Sequence, residues 1–230
     1  MSKDAGVVFF DVGGTLVERV RDERSTTVQA LRHTVGDSDD ASEARALVAM
    51  GRVYHAGCYL PSTHGGERGL WRATAAAGLA QLPCGCPSDL VDRLADRLAD
   101  YAPDYRVMPG MDVVLSRLRA TGRDVGIISN WLPSLPWFLE RLRIGPFAVV
   151  ACSGTLRCTK PDPAIFQWAA ARAGIALEDA WLVGNDPGCD YVPARSLGMR
   201  AVLWDPGGRL VGSSVCRVGS GSELVALLDA

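Results

Sequence analysis

Val7-Val8-Phe9-Phe10-Asp11-Val12-Gly13-Gly14-Thr15-Leu16 is the stretch on which the fold turns. Its first four residues are β-branched or aromatic, which reads as a buried strand over residues 6–12. A carboxylate, two glycines and a hydroxyl end the apolar run. Paired glycines directly after a strand let the backbone turn sharply and approach a ligand. Asp11 is thereby expected at the C-terminal end of the strand, where open parallel sheets hold their ligands. Alone, the stretch also suits a strand closed by a simple Asp-Gly turn. Three later strand ends tip the balance.

From residue 18 to 104 the texture is helical, with no strand-like stretch. Segments 26–35, 41–54, 66–82 and 88–101 carry apolar residues at spacings of three and four, most regularly Leu90, Leu94, Leu98 and Tyr101. Pro61, Pro83 and Pro87 punctuate these helices, and Ser88 is an expected N-cap. Beyond Met108-Pro109-Gly110, strands and helices alternate. A helix through Val113 to Arg119 stops at Gly122, and a strand over 124–128 ends in Ser129-Asn130. A helix over 135–142 and a strand near 147–151 follow. Lys160-Pro161-Asp162-Pro163 opens a helix over 164–173. A strand over 180–183 runs into Gly184-Asn185-Asp186-Pro187-Gly188-Cys189-Asp190, and helix 192–197, strand 200–204 and helix 223–228 close the chain. The pattern predicts an α/β fold: a doubly wound parallel, Rossmann-like core over 1–17 and 105–230, with an inserted helical bundle over 18–104.

Composition narrows the function classes. A net charge of −2 over 230 residues supplies no basic field for nucleic acid. No apolar run approaches the ~20 residues of a membrane span, and Met1 to Gly6 lack a signal-peptide layout. The seven cysteines are odd in number and irregularly spaced, which suits free thiols in a reducing, cytoplasmic setting. Cys84-Gly85-Cys86, the one close pair, has no second pair or histidine beside it and reads as structural. Lysine occurs only at positions 3 and 160, in a chain that otherwise uses arginine. A lone lysine in a loop hints that a compact ammonium is needed there.

In a parallel sheet the ends of these strands share one edge, so Asp11, Ser129, Lys160 and the cluster Asn185, Asp186, Asp190 are expected to converge. A carboxylate nucleophile, a hydroxyl, an ammonium and further acidic groups suit phosphoryl transfer. The motifs Asp-x-x-Gly-Thr-Leu, strand-Ser-Asn, Lys-Pro-Asp-Pro and Val-Gly-Asn-Asp-x-x-x-Asp, in this order, resemble those of the haloacid dehalogenase-like hydrolase superfamily. The helical insert resembles the cap of the subgroup whose cap follows the first motif. The resemblance implies that Asp11 is a nucleophile forming an aspartyl intermediate and that Lys160 pairs with it. It implies that Thr15, Ser129 and Asn130, with Lys160, serve the phosphate. It also implies a magnesium ion held by Asp11, Gly13 and residues among Asn185, Asp186 and Asp190.

Two positions depart from the family pattern. Family phosphatases carry a second aspartate two residues after the nucleophile, as general acid/base; here that residue is Gly13. Loss of a positioned acid/base costs ~10²–10⁴ in rate, roughly 3–5 kcal/mol in barrier. In the last motif one register places Asn185 where the metal-binding aspartate is usual, and a shift of one makes Asp186 and Asp190 the acidic pair. A neutral amide ligand weakens magnesium binding. The leading reading is a magnesium-dependent phosphatase of a small phosphorylated metabolite, with a substitute proton source. A slow or non-catalytic relative that binds a phosphorylated ligand or protein is the second. A metal-independent 2-haloacid dehalogenase is the third, although family dehalogenases have an aromatic residue at position 13. Phosphonate cleavage is disfavoured because residues 18–104 contain no lysine for a Schiff base.

Substrate choice is expected to come from the insert, as a lid that excludes water. Arg19, Arg21, Arg24, His55, His64, Arg68 and Trp71 are the candidate contacts, with His55 and His64 as candidate replacement acids. Trp131 and Trp137, just after Ser129, have the pocket open to them but read chiefly as core. A small anionic substrate is the expected partner, with neither nucleic acid nor membrane, for a monomer or homodimer.

Overall fold

The first strand, β1 (Val8–Phe10), is fully buried, and its alternate side chains feed two different hydrophobic clusters. Val8 and Phe10 join one cluster; Val7 and Phe9 join the other. That two-residue alternation is what a strand covered on both faces requires. The computed structural model describes residues 6–58, 65–208 and 215–230.

After the glycine turn the chain forms β2 (Val17–Arg19) and enters four helices, α1 (Glu23–Val35), α2 (Asp40–Gly57), α3 (Glu67–Leu79) and α4 (Ser88–Ala99). It returns through β3 (Tyr105–Val107), antiparallel to β2 with Arg19 opposite Tyr105. This ribbon brackets the helical insert, so residues 18 and 19 are extended where a purely helical texture is expected. Local chemistry sets the helix ends. Asp22 and Asp39 accept hydrogen bonds from Ser25 N and Ser42 N and start α1 and α2 ahead of their first apolar residues. In α3 the helix stops at Leu79, and the amides of Gln81 and Leu82 bond back only three residues, which tightens the last turn out of the helix. Ser88 is not the cap expected of it: Pro87 holds that position, with no side-chain bond.

The remainder builds the sheet: α5 (Met111–Ala120), β4 (Val125–Ser129), α6 (Leu135–Arg141), β5 (Val149–Cys152), α7 (Ser153–Leu156), α8 (Pro163–Ala173), β6 (Trp181–Gly184), α9 (Val192–Ser196), β7 (Arg200–Trp204), β8 (Arg217–Val218) and α10 (Gly221–Leu228). The sheet has six strands in the order β5-β4-β1-β6-β7-β8, and every pairing is parallel. The α/β Rossmann-like architecture read from the sequence is the observed one. The four-residue α7 and two-residue β8 are too short to carry a periodicity and went unanticipated.

Helices α8 and α9 cover one face, with Ile165, Phe166 and Ala194 in the Phe9 cluster. Helices α5, α6 and α10 cover the other, and that cluster runs on without a break into Leu31, Met50, Leu70 and Leu94 of the insert. Phe10 of β1 lies opposite Ile127 of β4 and Val183 of β6. This register brings the C-terminal ends of β1, β4 and β6 to one edge, where Asp11, Ser129 and residues 184–190 follow. Among the described residues no helix is long and apolar enough to cross a membrane. Cys84, Cys86, Cys152, Cys158, Cys189 and Cys216 carry free thiols.

Candidate active site

Asp11 leaves β1 still tied to the sheet, its N–H donating to Val183 O at 2.9 Å. Its carboxylate is almost buried and accepts two hydrogen bonds on the same oxygen, Oδ1. Ser129 Oγ donates at 3.0 Å and Lys160 Nζ at 2.7 Å. The lysine also donates to Asp190 Oδ1 at 2.5 Å, so one ammonium bridges two carboxylates. Burial opposes the ammonium's charge, yet Asp11 and Asp190 together outweigh it and hold the Lys160 pKa above its usual value. Burial, and then the charge of Asp11, push the Asp190 carboxyl up, with Lys160 opposing them in part.

Neighbouring elements hold this set in place. Asn130 clamps the lysine's main chain: Lys160 N donates to Asn130 Oδ1 at 2.7 Å and Asn130 Nδ2 donates to Lys160 O at 3.0 Å. The Asn130 amide is thus spent on orienting the lysine loop. Asp190 Oδ2 accepts from Asp186 N at 3.0 Å. Gly184 makes room for this group, since a Cβ there would collide with the Asp190 carboxylate. Asp186 caps its own turn, its Oδ1 accepting from Gly188 N at 2.7 Å and Cys189 N at 2.8 Å.

Asn185 faces the first loop instead. Thr15 Oγ1 donates to Asn185 Oδ1 at 3.3 Å. Gly14, at φ +77°, lies so close beneath the Asn185 amide that a Cβ would come within 2.5 Å of its nitrogen. Gly13 is covered by Trp131, whose ring stands 3.3 Å from the place a Cβ would take. The Trp131 main chain is anchored by α7: its N–H donates to Ser153 Oγ at 3.0 Å and its carbonyl accepts from Gly154 N at 3.0 Å.

A cavity of about 1040 Å³ lies between the insert and the sheet edge, with Asn130 and Trp131 in its wall. Tyr54, Trp71, Tyr101 and Tyr105 line it as well. Of the expected substrate contacts, Arg19, Arg21, Arg24, His55 and Trp71 line this cavity. Arg19 is also paired with Glu23 at 3.1 Å and lies over the Tyr105 ring. Arg68 instead faces Asp92 and Asp96 on the insert's surface. His64 lies outside the described residues.

The family model of the haloacid dehalogenase-like hydrolases matches residues 6–198. The chain belongs to that family. Within the haloacid dehalogenase-like hydrolases it is 34% identical over 108 residues to the phosphoserine phosphatase of Thermus thermophilus, a match covering 45% of this chain and 42% of that protein. The chain spans less than half the length of the curated relatives it matches. A 2-haloacid dehalogenase of Pseudomonas syringae shares the fold, with 24% identity, a TM-score of 0.72 and coverage of 97% and 98% of the two chains. A phosphatase of the family from Thermococcus onnurineus is similar at 21% identity and TM-score 0.62, over 97% of each chain.

The sequence singled out Trp71 but offered no signal that rings join into a belt, nor for a polar latch, two features of this hydrolase. One is the ring belt, in which Tyr54 stacks on Trp71 at 5.2 Å and Tyr105 meets Trp131 at 5.6 Å. The other is a polar latch between insert and core, in which Glu67 accepts from Ser134 N at 2.8 Å and Ser134 Oγ at 2.6 Å. Tyr101 OH joins it, lying 2.7 Å from Ser134 Oγ and accepting from Trp131 Nε1 at 3.0 Å. The latch orients Trp131 from the insert side. We expect Glu67→Ala, which leaves Ser134 N unpaired, to lower the melting temperature by roughly 2–8 °C. Quenching of tryptophan fluorescence by acrylamide should rise with it as Trp131 is released.

Proposed function

We propose that this hydrolase cleaves a small phosphorylated substrate, transferring the phosphoryl group to Asp11 and then to water. The observation that carries the reading is the bridged set Ser129, Asp11, Lys160 and Asp190 at the sheet edge. Both donors address Oδ1 of Asp11, which leaves Oδ2 as the attacking oxygen. The Lys160 ammonium, kept charged by its two carboxylates, is the group to offset negative charge as the phosphoryl oxygens arrive. Ser129 Oγ is a second donor within reach of the same atoms. Asp190 and Asn130 act on the lysine, as positioning residues, through its side chain and main chain. The similarity to a phosphoserine phosphatase supports phosphate-ester chemistry at family level.

Magnesium fits this donor set, though thinly. Among the described residues no three His, Cys, Asp or Glu side chains converge as a metal site. Hard oxygens are nonetheless present in the Asp11 carboxylate, the Gly13 carbonyl and Asn185 Oδ1, which faces the same loop through Thr15. These would hold the cation; Asp186, bound to its own turn, would not. When bound, the cation would offset repulsion between the carboxylate and the anionic substrate. One carboxylate with a neutral amide implies weak affinity. Asn185→Asp is therefore expected to tighten magnesium binding by at least about tenfold, measured by calorimetry without substrate, and Asp186→Ala to leave it unchanged. Equal effects of the two substitutions would reverse the assignment.

The test of the reaction is phosphate release from a panel of phosphate monoesters, with and without magnesium, alongside trapping of the acyl phosphate by hydroxylamine. Metal-independent halide release from 2-haloacids, with no phosphate release, would move the protein to the dehalogenases.

A further inference from the structure

We propose that the substrate is an aryl phosphate, whose aromatic leaving group sits in the ring-lined cavity and departs as its own anion without a proton from residue 13. This deepens the phosphatase reading and rests on it. The first observation is the state of position 13. It bears no side chain, and a Cβ placed there would come within 3.3 Å of the Trp131 ring. Position 13 thus offers no proton to a leaving group and has an indole edge beside it.

The second observation is independent of the first. The 1040 Å³ cavity, which reaches the core at Asn130 and Trp131, is lined by Tyr54, Trp71, Tyr101 and Tyr105 as well. The rings form a connected belt: Tyr54–Trp71 at 5.2 Å, Trp71–Tyr101 at 6.1 Å, Tyr101–Trp131 at 6.3 Å and Tyr105–Trp131 at 5.6 Å. Such a belt favours a planar, apolar group by stacking and edge contacts. Trp131 belongs to both the belt and the cover of Gly13, so the missing acid and the aromatic pocket share one residue.

The chemistry joins the two. A phenol ionises near pKa ~10, against ~15.7 for water, and alkyl alcohols behave like water. A phenolate leaves without protonation, whereas an alkoxide needs it. Asp11 Oδ2 attacks phosphorus, the phosphorus–oxygen bond to the ring breaks, and its electron pair departs on the phenolate. Water then attacks the aspartyl phosphate, restoring the carboxylate and releasing inorganic phosphate. The phenolate takes up the proton that this water gives away.

Two measurements on the full chain test this. In the first, kcat/KM is measured across substituted phenyl phosphates from 4-nitrophenyl to 4-methoxyphenyl, with ethyl and glyceryl phosphate beside them. A steep fall with leaving-group pKa is expected, with the alkyl esters at least ~10²-fold below phenyl phosphate. Gly13→Asp combined with Trp131→Phe should flatten the dependence by restoring an acid. In the second, displacement of a fluorescent aryl phosphonate gives the affinities of phenylphosphonate and methylphosphonate. Phenylphosphonate should bind at least about tenfold tighter, and Trp71→Ala should remove most of that preference. This arm stands even where the double variant fails to fold.

Three outcomes overturn the proposal. Equal affinity for the two phosphonates would do so, as would a flat leaving-group dependence in the wild type. So would a collapse of alkyl-ester turnover on His55→Ala, which would make the cavity histidine the proton donor. All three leave the phosphatase reading intact. Absence of phosphate release from every ester would instead overturn that reading, and this one with it.

Discussion

The Asp11→Asn variant is expected to fold as the wild type does and to release no phosphate. Turnover should fall by at least ~10⁴-fold, because an amide of the same shape cannot attack phosphorus and, among the described residues, no other carboxylate paired with Lys160 has an oxygen free to replace it. Asp190 is the nearest candidate, but one of its oxygens is held by Lys160 and the other by Asp186 N. Stability should change by no more than about 1 kcal/mol, since the ammonium keeps its pair with Asp190. Calorimetric melting and phosphate release on the same preparation separate the two effects. Activity surviving within tenfold of wild type would remove covalent chemistry from Asp11.

Lys160→Met should be the most damaging substitution for the fold itself. The lysine side chain is 2% exposed and is the counterion of two carboxylates, themselves 10% and 2% exposed. Removing it leaves those charges buried, at a cost of about 3–5 kcal/mol, or roughly 6–20 °C in melting temperature for a domain of this size. The deficit has a predictable pH dependence. Without the ammonium that opposes them, burial and the charge of Asp11 raise the Asp190 pKa further above its unfolded value. The folded protein then binds more protons than the unfolded chain, so its stability falls as pH rises from the unfolded to the folded pKa of Asp190. Melting at pH 8 should accordingly show a larger loss than melting at pH 5. Adding Asp190→Asn to Lys160→Met should recover part of the stability and none of the activity. A pH-independent deficit would mean that the loss is one of packing alone.

The sequence by itself determined the layered architecture and which strand ends share an edge. Runs such as Val7–Phe10 and the helical spacings of residues 88–101 are local patterns whose side chains declare which face they bury. The parallel alternation then obliges residues 11 and 129 to meet at one edge. Lys160, the one lysine beyond the amino terminus, declared itself by residue type. What the last motif's polar groups do was decided only by the tertiary structure. Asn185, Asp186 and Asp190 lie within six positions, and a shift of one residue in such a turn redirects a side chain. Asn185 faces the Gly14 loop, Asp186 closes its own turn, and Asp190 meets Lys160, a partner 30 residues away. The aromatic belt lay equally beyond the sequence. Its members are spread from Tyr54 to Trp131, and rings so far apart in the chain become neighbours only when the insert packs against the sheet edge.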